Sequence, residues 1–144
     1  MSDIYEHLCA FLETSGLQPE SGANQLTQFW YKEERYYLRF FPNRQALRIF
    51  HPRVWHVDSH MEFGVATFIA NDMNQDSFAT KMFVNNDDHY IYCVAEIFAT
   101  DAETVEALFF NYMNALSWAI VEFRDRTDKS MQEEDQEPPS PQSA

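Results

Sequence analysis

The sequence predicts an α+β domain, an antiparallel sheet packed against helices in the order α-β-β-β-α-β-β-α. Three observations carry this. Apolar residues recur at helical spacing in three separated stretches. Runs dense in aromatic and β-branched residues lie between them, from Leu26 to Val57 and from Phe78 to Ala99. The chain has 144 residues, 45% of them apolar, which suits one domain with its own core.

The first helix is predicted over Asp3 to Ser15. Ser2 or Asp3 offers a cap, Glu6 stands three residues after Asp3, Ile4, Leu8, Phe11 and Leu12 share a stripe, and Gly16 supplies a stop. Gln18 to Gln25 reads as a loop. Three strands follow: one through Phe29-Trp30-Tyr31, one over Arg35–Phe41, and one over Gln45–His51. Pro52 interrupts the third, which resumes through Val54–Val57. The turn near Glu33-Glu34 lacks glycine, so a single long strand is the alternative to the first two.

Ser59 and Glu62 form an S-x-x-E capping box that opens the second helix, with Met61, Val65, Phe68, Ile69 and Met73 as its apolar stripe and Asn74 and Asp76 at its end. Phe78–Val84 and His89–Ala99 form a hairpin across the polar run Asn85–Asp88. In its second strand Ile91, Cys93, Ala95 and Ile97 alternate toward the core, and Tyr90, Tyr92 and Glu96 point away. The last helix is capped by Thr100 or Asp101. Val105, Leu108, Phe109, Tyr112, Leu116, Ala119, Ile120 and Phe123 form its stripe, and Arg124, Arg126 and Lys129 favour its C-terminal end. Its length is predicted at about 25 residues, about 38 Å. From Asp128 the composition turns acidic and Pro-rich, so residues 1–127 are expected to form the domain and 128–144 a disordered tail.

The net charge of −13 disfavours nucleic acid and anionic membranes. Five carboxylates against one lysine from Asp128 onward leave the body at −9. Three glycines leave little room for a Gly-rich phosphate loop. Cys9 and Cys93 fall at apolar positions and read as buried thiols in a reducing compartment. With no signal-peptide pattern and no run long enough to span a bilayer, a cytoplasmic location is expected.

A small acidic chain with this element order, with helix Met61–Met73 running into Asn74, hairpin Phe78–Ala99 and an aromatic C-terminal helix, resembles the type III secretion chaperone-like fold. Within that fold it is similar to the YbjN family of bacterial proteins, over about Asp3 to Arg126. The resemblance implies binding and not catalysis. The chaperones are homodimers that hold an unfolded segment of a secreted partner, and YbjN-like proteins are described as sensory or regulatory. No catalytic residue and no cofactor is carried over, and the Pro-rich tail lies outside the family pattern.

Two constellations have chemical content. His56, Asp58 and His60 alternate as strand positions that could share a metal ion, but the capping box at Ser59 and Glu62 places a helix start there and breaks that geometry. The second is a basic stripe. Lys32, Arg35, Arg39, Arg44, Arg48 and Arg53 interleave with Tyr31, Tyr36, Tyr37, Phe41 and Phe50, and six bases against Glu33 and Glu34 net +4. Arg beside aromatics suits a protein interface, and Tyr37, Arg39, Phe41, Arg48 and Phe50 are the candidate partner-binding residues. A solvated sheet face with ordinary cross-strand pairs, and a stacking platform for single-stranded nucleic acid, are the alternatives. Glu133, Glu134, Asp135 and Glu137 are charge-matched to fold back on the stripe. No nucleophile motif and no paired acid and base stand out. The expectation is a non-enzymatic chaperone-like homodimer that holds a partner segment on the sheet face or long helix. A YbjN-type regulator, or a small metal-dependent enzyme using His56, Asp58 and His60, are the alternatives.

Overall fold

The computed structural model describes residues 3–136. Helix α1 (Asp3–Thr14) buries Leu8 and Leu12, one turn apart. It ends as the glycine foretells: Gly16 takes φ +76°, Leu17 N–H donates to Leu12 O and Gly16 N–H to Glu13 O, which ties off the last carbonyls. Strands β1 (Glu20–Ser21), β2 (Leu26–Tyr31), β3 (Glu34–Phe41) and β4 (Ala46–His56) follow. The short β1 lies in the stretch expected to be a loop.

β2 and β3 are separate strands. Tyr31 pairs with Glu34 across a two-residue turn in which Lys32 and Glu33 take φ +49° and +66°. This is the primed hairpin geometry that normally recruits Asn-Gly, and two residues with β-carbons hold it at some conformational cost. Pro52 does not end β4. The strand runs on to His56, and its register against β6 shifts between His51 and Trp55, so the proline sits in a bulge.

Helix α2 (His60–Asp76) starts at the expected box. Ser59 Oγ accepts from Glu62 N–H, and the Glu62 carboxylate accepts from Asp58 N–H. Its buried face is Ala66, Ile69, Ala70 and Met73, whereas Met61 and Phe68 of the expected stripe are exposed. The alanines let α2 approach its neighbours closely, which turns the larger side chains outward. Strands β5 (Thr80–Val84) and β6 (Tyr90–Phe98) form the expected hairpin, and Asn85 Oδ1 accepts from Asp87 and Asp88 N–H in its loop.

Helix α3 (Ala102–Gln136) is capped by Asp101, whose carboxylate accepts from Thr104 N–H. It has 35 residues, about 52 Å, and passes through Asp128, where the tail was expected to begin. The basic residues expected to close it do not lie in its last turn. Arg126 reaches Asp72 of α2 at 2.7 Å, and Lys129 pairs with Asp125 one turn back. Of the expected tail, residues 137–144 lie outside the described residues.

The sheet order is β1-β2-β3-β4-β6-β5, with every neighbouring pair antiparallel. Strand alternation sends Phe29, Tyr36, Leu38, Leu47, Ile49, Met82, Ile91, Cys93 and Ala95 to one face, where they form one core with the buried residues of all three helices. The other face carries no helix or strand among the described residues. Each edge is capped at particular residues. On the β2 side, Trp30 N–H donates to Leu17 O and Gly22 N–H to Leu26 O. On the β5 side, the Asn74 carboxamide takes both backbone groups of Met82, accepting from its N–H and donating to its C=O, each at 2.9 Å.

Candidate protein-binding face

The open face is built from the strand positions that do not feed the core. Tyr37 pairs with Phe50 and Arg39 with Arg48 across β3 and β4, so ring faces ring and cation faces cation in adjacent rows. Because β4 pairs next with β6 and β6 with β5, the ring row continues beyond the expected pair. Tyr37 stacks on Phe50 at 5.5 Å, Phe50 on Tyr92 at 6.4 Å and Tyr92 on Phe83 at 5.6 Å, all between near-parallel planes. Val94 lies on this face, opposite Phe50, and is only 1% exposed. The surrounding side chains shield it from water without any covering helix.

The arginines are laid on rings. Arg39 and Arg48 lie 5.0 and 5.4 Å from the centre of Phe41, Arg35 lies 5.3 Å from that of Trp30, and Arg53 lies 5.4 Å from that of Tyr90. Each contact contributes about 0.5–1 kcal/mol at an exposed site and restricts the guanidinium. Glu96 bridges Arg48 at 2.6 Å and Lys81 at 2.9 Å, and these partners hold its carboxyl below the ordinary range. Burial first, then the hydrogen bond to Asp88, pushes the Tyr92 phenol up to about 12, so it remains a donor at neutral pH.

All five sequence-predicted residues, Tyr37, Arg39, Phe41, Arg48 and Phe50, therefore fall on this one face. Trp30, Arg35, Arg53, Phe83 and Tyr92 extend it. The alternation of β6 already turned Tyr92 away from the core, but nothing in the sequence set β6 beside β4. Glu133, Glu134 and Asp135 belong to α3, which packs against the opposite face, and Glu137 lies outside the described residues.

At the metal candidate, β4 ends at His56 and Ser59 caps α2, so the three side chains do not line one strand face. His56 pairs with Asp58, and no three metal-ligating groups cluster among the described residues. Cys9 and Cys93 are both free, and burial pushes the Cys93 thiol up to about 12.

Behind the face, the β4 bulge frees backbone carbonyls that α3 captures. Arg124 donates to Val54 O at 2.9 Å and Arg53 O at 3.3 Å, and to both Glu34 carboxylate oxygens at 3.2 and 3.3 Å. His51 Nδ1 lies 2.9 Å from Arg35 O, and Nε2 lies 2.8 Å from Glu34 and 3.4 Å from the Arg124 guanidinium. Burial lowers the His51 pKa from its ordinary 6.5 despite the opposing pull of Glu34. Burial alone raises the Glu34 carboxyl, but hydrogen bonding and charge from Arg124, with His51, outweigh it and hold the group below 4.5. The signs agree. Below pH 6.5 the unfolded chain takes up a proton at His51 that the folded chain resists. Stability from Glu34 is present above its unfolded value and lost as pH falls through its folded one. Urea unfolding is expected to show a plateau above about pH 7 and a loss on acidification that His51→Gln diminishes between about pH 6.5 and 5. A His51→Gln profile matching that of the parent chain would contradict this assignment.

The architecture matches solved structures of the type III secretion chaperone-like class. The HopA1–SchA chaperone–effector complex contains a chain similar to this one, with a TM-score of 0.63 and 11% identity over 85% of this chain and 94% of that one. The ExsC–ExsE complex contains another, with a TM-score of 0.56 and 17% identity over 81% and 90%. YbjN from E. coli, a protein proposed as a transcription regulator, matches with a TM-score of 0.64 and 12% identity over 83% and 90%. The chain has a YbjN-like, chaperone-like fold, as its element order foretold. No family model and no curated protein matches the sequence.

Proposed function

We propose that this chain is a non-enzymatic, chaperone-like binding protein that holds a segment of a partner protein on its open sheet face. The observation that carries the reading is the ring row Tyr37–Phe50–Tyr92–Phe83 flanked by ring-stacked arginines on a face free of helices. Such a face offers apolar area worth about 25 cal/mol per Å² when covered, before the costs of ordering the partner. Backbone groups capped at Met82 and Trp30 favour capture by side chains over addition of a strand. Two of the similar folds were solved as protein complexes, one named as chaperone with effector, which supports a protein ligand. The chain acts as a homodimer. Met61 and Phe68 on the outer side of α2 flank Gly64, whose missing side chain leaves open space for a second copy. Two free cysteines suit a cytoplasmic setting.

The test is affinity capture of tagged protein from its source cells, with light scattering on the recovered complex. The expected result is one polypeptide in near-stoichiometric amount with two copies of this chain, lost with Phe50→Glu. Capture of the same polypeptide by Phe50→Glu would remove the sheet face as the site.

A further inference from the structure

Resting on that reading, we infer that the held segment is acidic as well as apolar, with carboxylates and large apolar side chains alternating along the side that faces the sheet. Charge is divided between the two layers of the molecule. The helices hold fourteen carboxylates against Arg124, Arg126 and Lys129. On strands β3 to β6, Arg35, Arg39, Arg48, Arg53 and Lys81 face outward against Glu96, with Asp87 and Asp88 in the β5–β6 loop and Glu33 in the β2–β3 turn at the margins. A protein of net charge −13 thus concentrates its cations on the face that also carries its ring row.

These cations are not consumed internally. Glu96 takes Arg48 and Lys81, and among the described residues the guanidinium groups of Arg35, Arg39 and Arg53 have no carboxylate partner. Each lies on an aromatic ring. Stacking uses the flat face of a guanidinium and leaves its N–H edge free, the edge that binds a carboxylate in two-point fashion.

The spacing is also specific. Along β3 the outward residues are Arg35, Tyr37, Arg39 and Phe41, so cation and ring alternate every second residue. The repeat is about 6.8 Å, which is also the spacing of same-side residues in an extended ligand. A segment with acids at j and j+4 and apolar side chains at j+2 and j+6 matches all four. Nucleic acid is the less favoured anion. Its continuous phosphate charge extends beyond the face into the field of the acidic helices, whereas a peptide confines its charge to the matching positions.

Fluorescence anisotropy with three probes tests this: a labelled peptide containing Glu-Ser-Phe-Ser-Glu-Ser-Leu, its Glu→Gln counterpart, and oligothymidylate of similar length. The acidic peptide is expected to bind about tenfold more tightly than the Gln peptide at low salt. That advantage should shrink with added salt and vanish in Arg39→Glu, which keeps the parent thermal unfolding curve. Equal binding of the two peptides would overturn the acidic assignment while leaving the face as a protein site. Absence of binding by both would overturn it too, and the cell capture then judges the face independently. Tighter binding of oligothymidylate would make the ligand a nucleic acid. Salt-sensitive association beyond the dimer by light scattering would make the occupant the acidic helix layer of another copy. Either result replaces the proposed segment.

Discussion

Truncating Phe109 to alanine is expected to lower the unfolding free energy by about 4 kcal/mol, the usual cost of removing a buried aromatic side chain and leaving its cavity. Phe109 is fully buried on α3. Its ring meets Phe11 of α1 at 5.4 Å, Phe29 of β2 at 5.8 Å and its neighbour Phe110 at 5.1 Å, so it joins both terminal helices to the sheet. Three elements packed around one ring have little freedom to collapse into the space it leaves. Urea unfolding measures the loss, and the melting temperature should fall by about 12 °C. Trp118 on the same helix is the control. It is 61% exposed, and its replacement by alanine should change stability by less than about 0.5 kcal/mol. A loss below 1 kcal/mol in Phe109→Ala would mean that the helix is not packed in this rotation.

Arg124→Met is expected to cost about 2–3 kcal/mol, in the range for hydrogen bonds to a charged group. Methionine keeps the aliphatic stem, so the loss reports the guanidinium itself. Among the described residues that group is the one side-chain donor to the carbonyls of Arg53 and Val54 in the bulge, and it pairs with Glu34 and approaches His51. Arg124 and Glu34 are each about a third exposed, which lets water replace part of what is lost and keeps the figure below that for a fully buried pair. The acid limb of the stability profile should change with it, because Glu34 then lacks the cation that holds its carboxyl low. Chemical denaturation across pH 4–8 checks both. An unchanged midpoint together with an unchanged acid limb would show that the bulge is held by other means.

Local chemistry made much of the fold legible. The box at Ser59 and Glu62, the stop at Gly16 and the alternation of Ile91, Cys93 and Ala95 each reflect interactions within a few residues, and each stands where the sequence placed it. Features set by the whole molecule were less legible. The face of α2 was assigned by residue size, but close packing favoured Ala66 and Ala70 and left Phe68 outside. Arg124, Arg126 and Lys129 read as a helix end because their charge suits one, but two of them are ties to other elements, and α3 runs on. The proposed binding face was half visible. Tyr37, Arg39, Phe41, Arg48 and Phe50 follow from the alternation of two neighbouring strands. Tyr92 and Phe83 join them only because β6 lies between β4 and β5, an adjacency fixed by sheet order and absent from any local pattern.

The carboxamide of Asn74 has a consequence for life at high concentration. A protein that displays uncovered rings risks recruiting its own kind, and the hazard is greatest where bare rings adjoin a bare strand margin, the template from which ordered aggregates grow. Here the margin beside Phe83 is occupied at Met82 by a side chain that satisfies its amide and carbonyl as another strand would. At that position the backbone, which every protein shares, offers nothing to an incoming strand. One asparagine thus blocks strand addition at Met82, beside the exposed ring of Phe83.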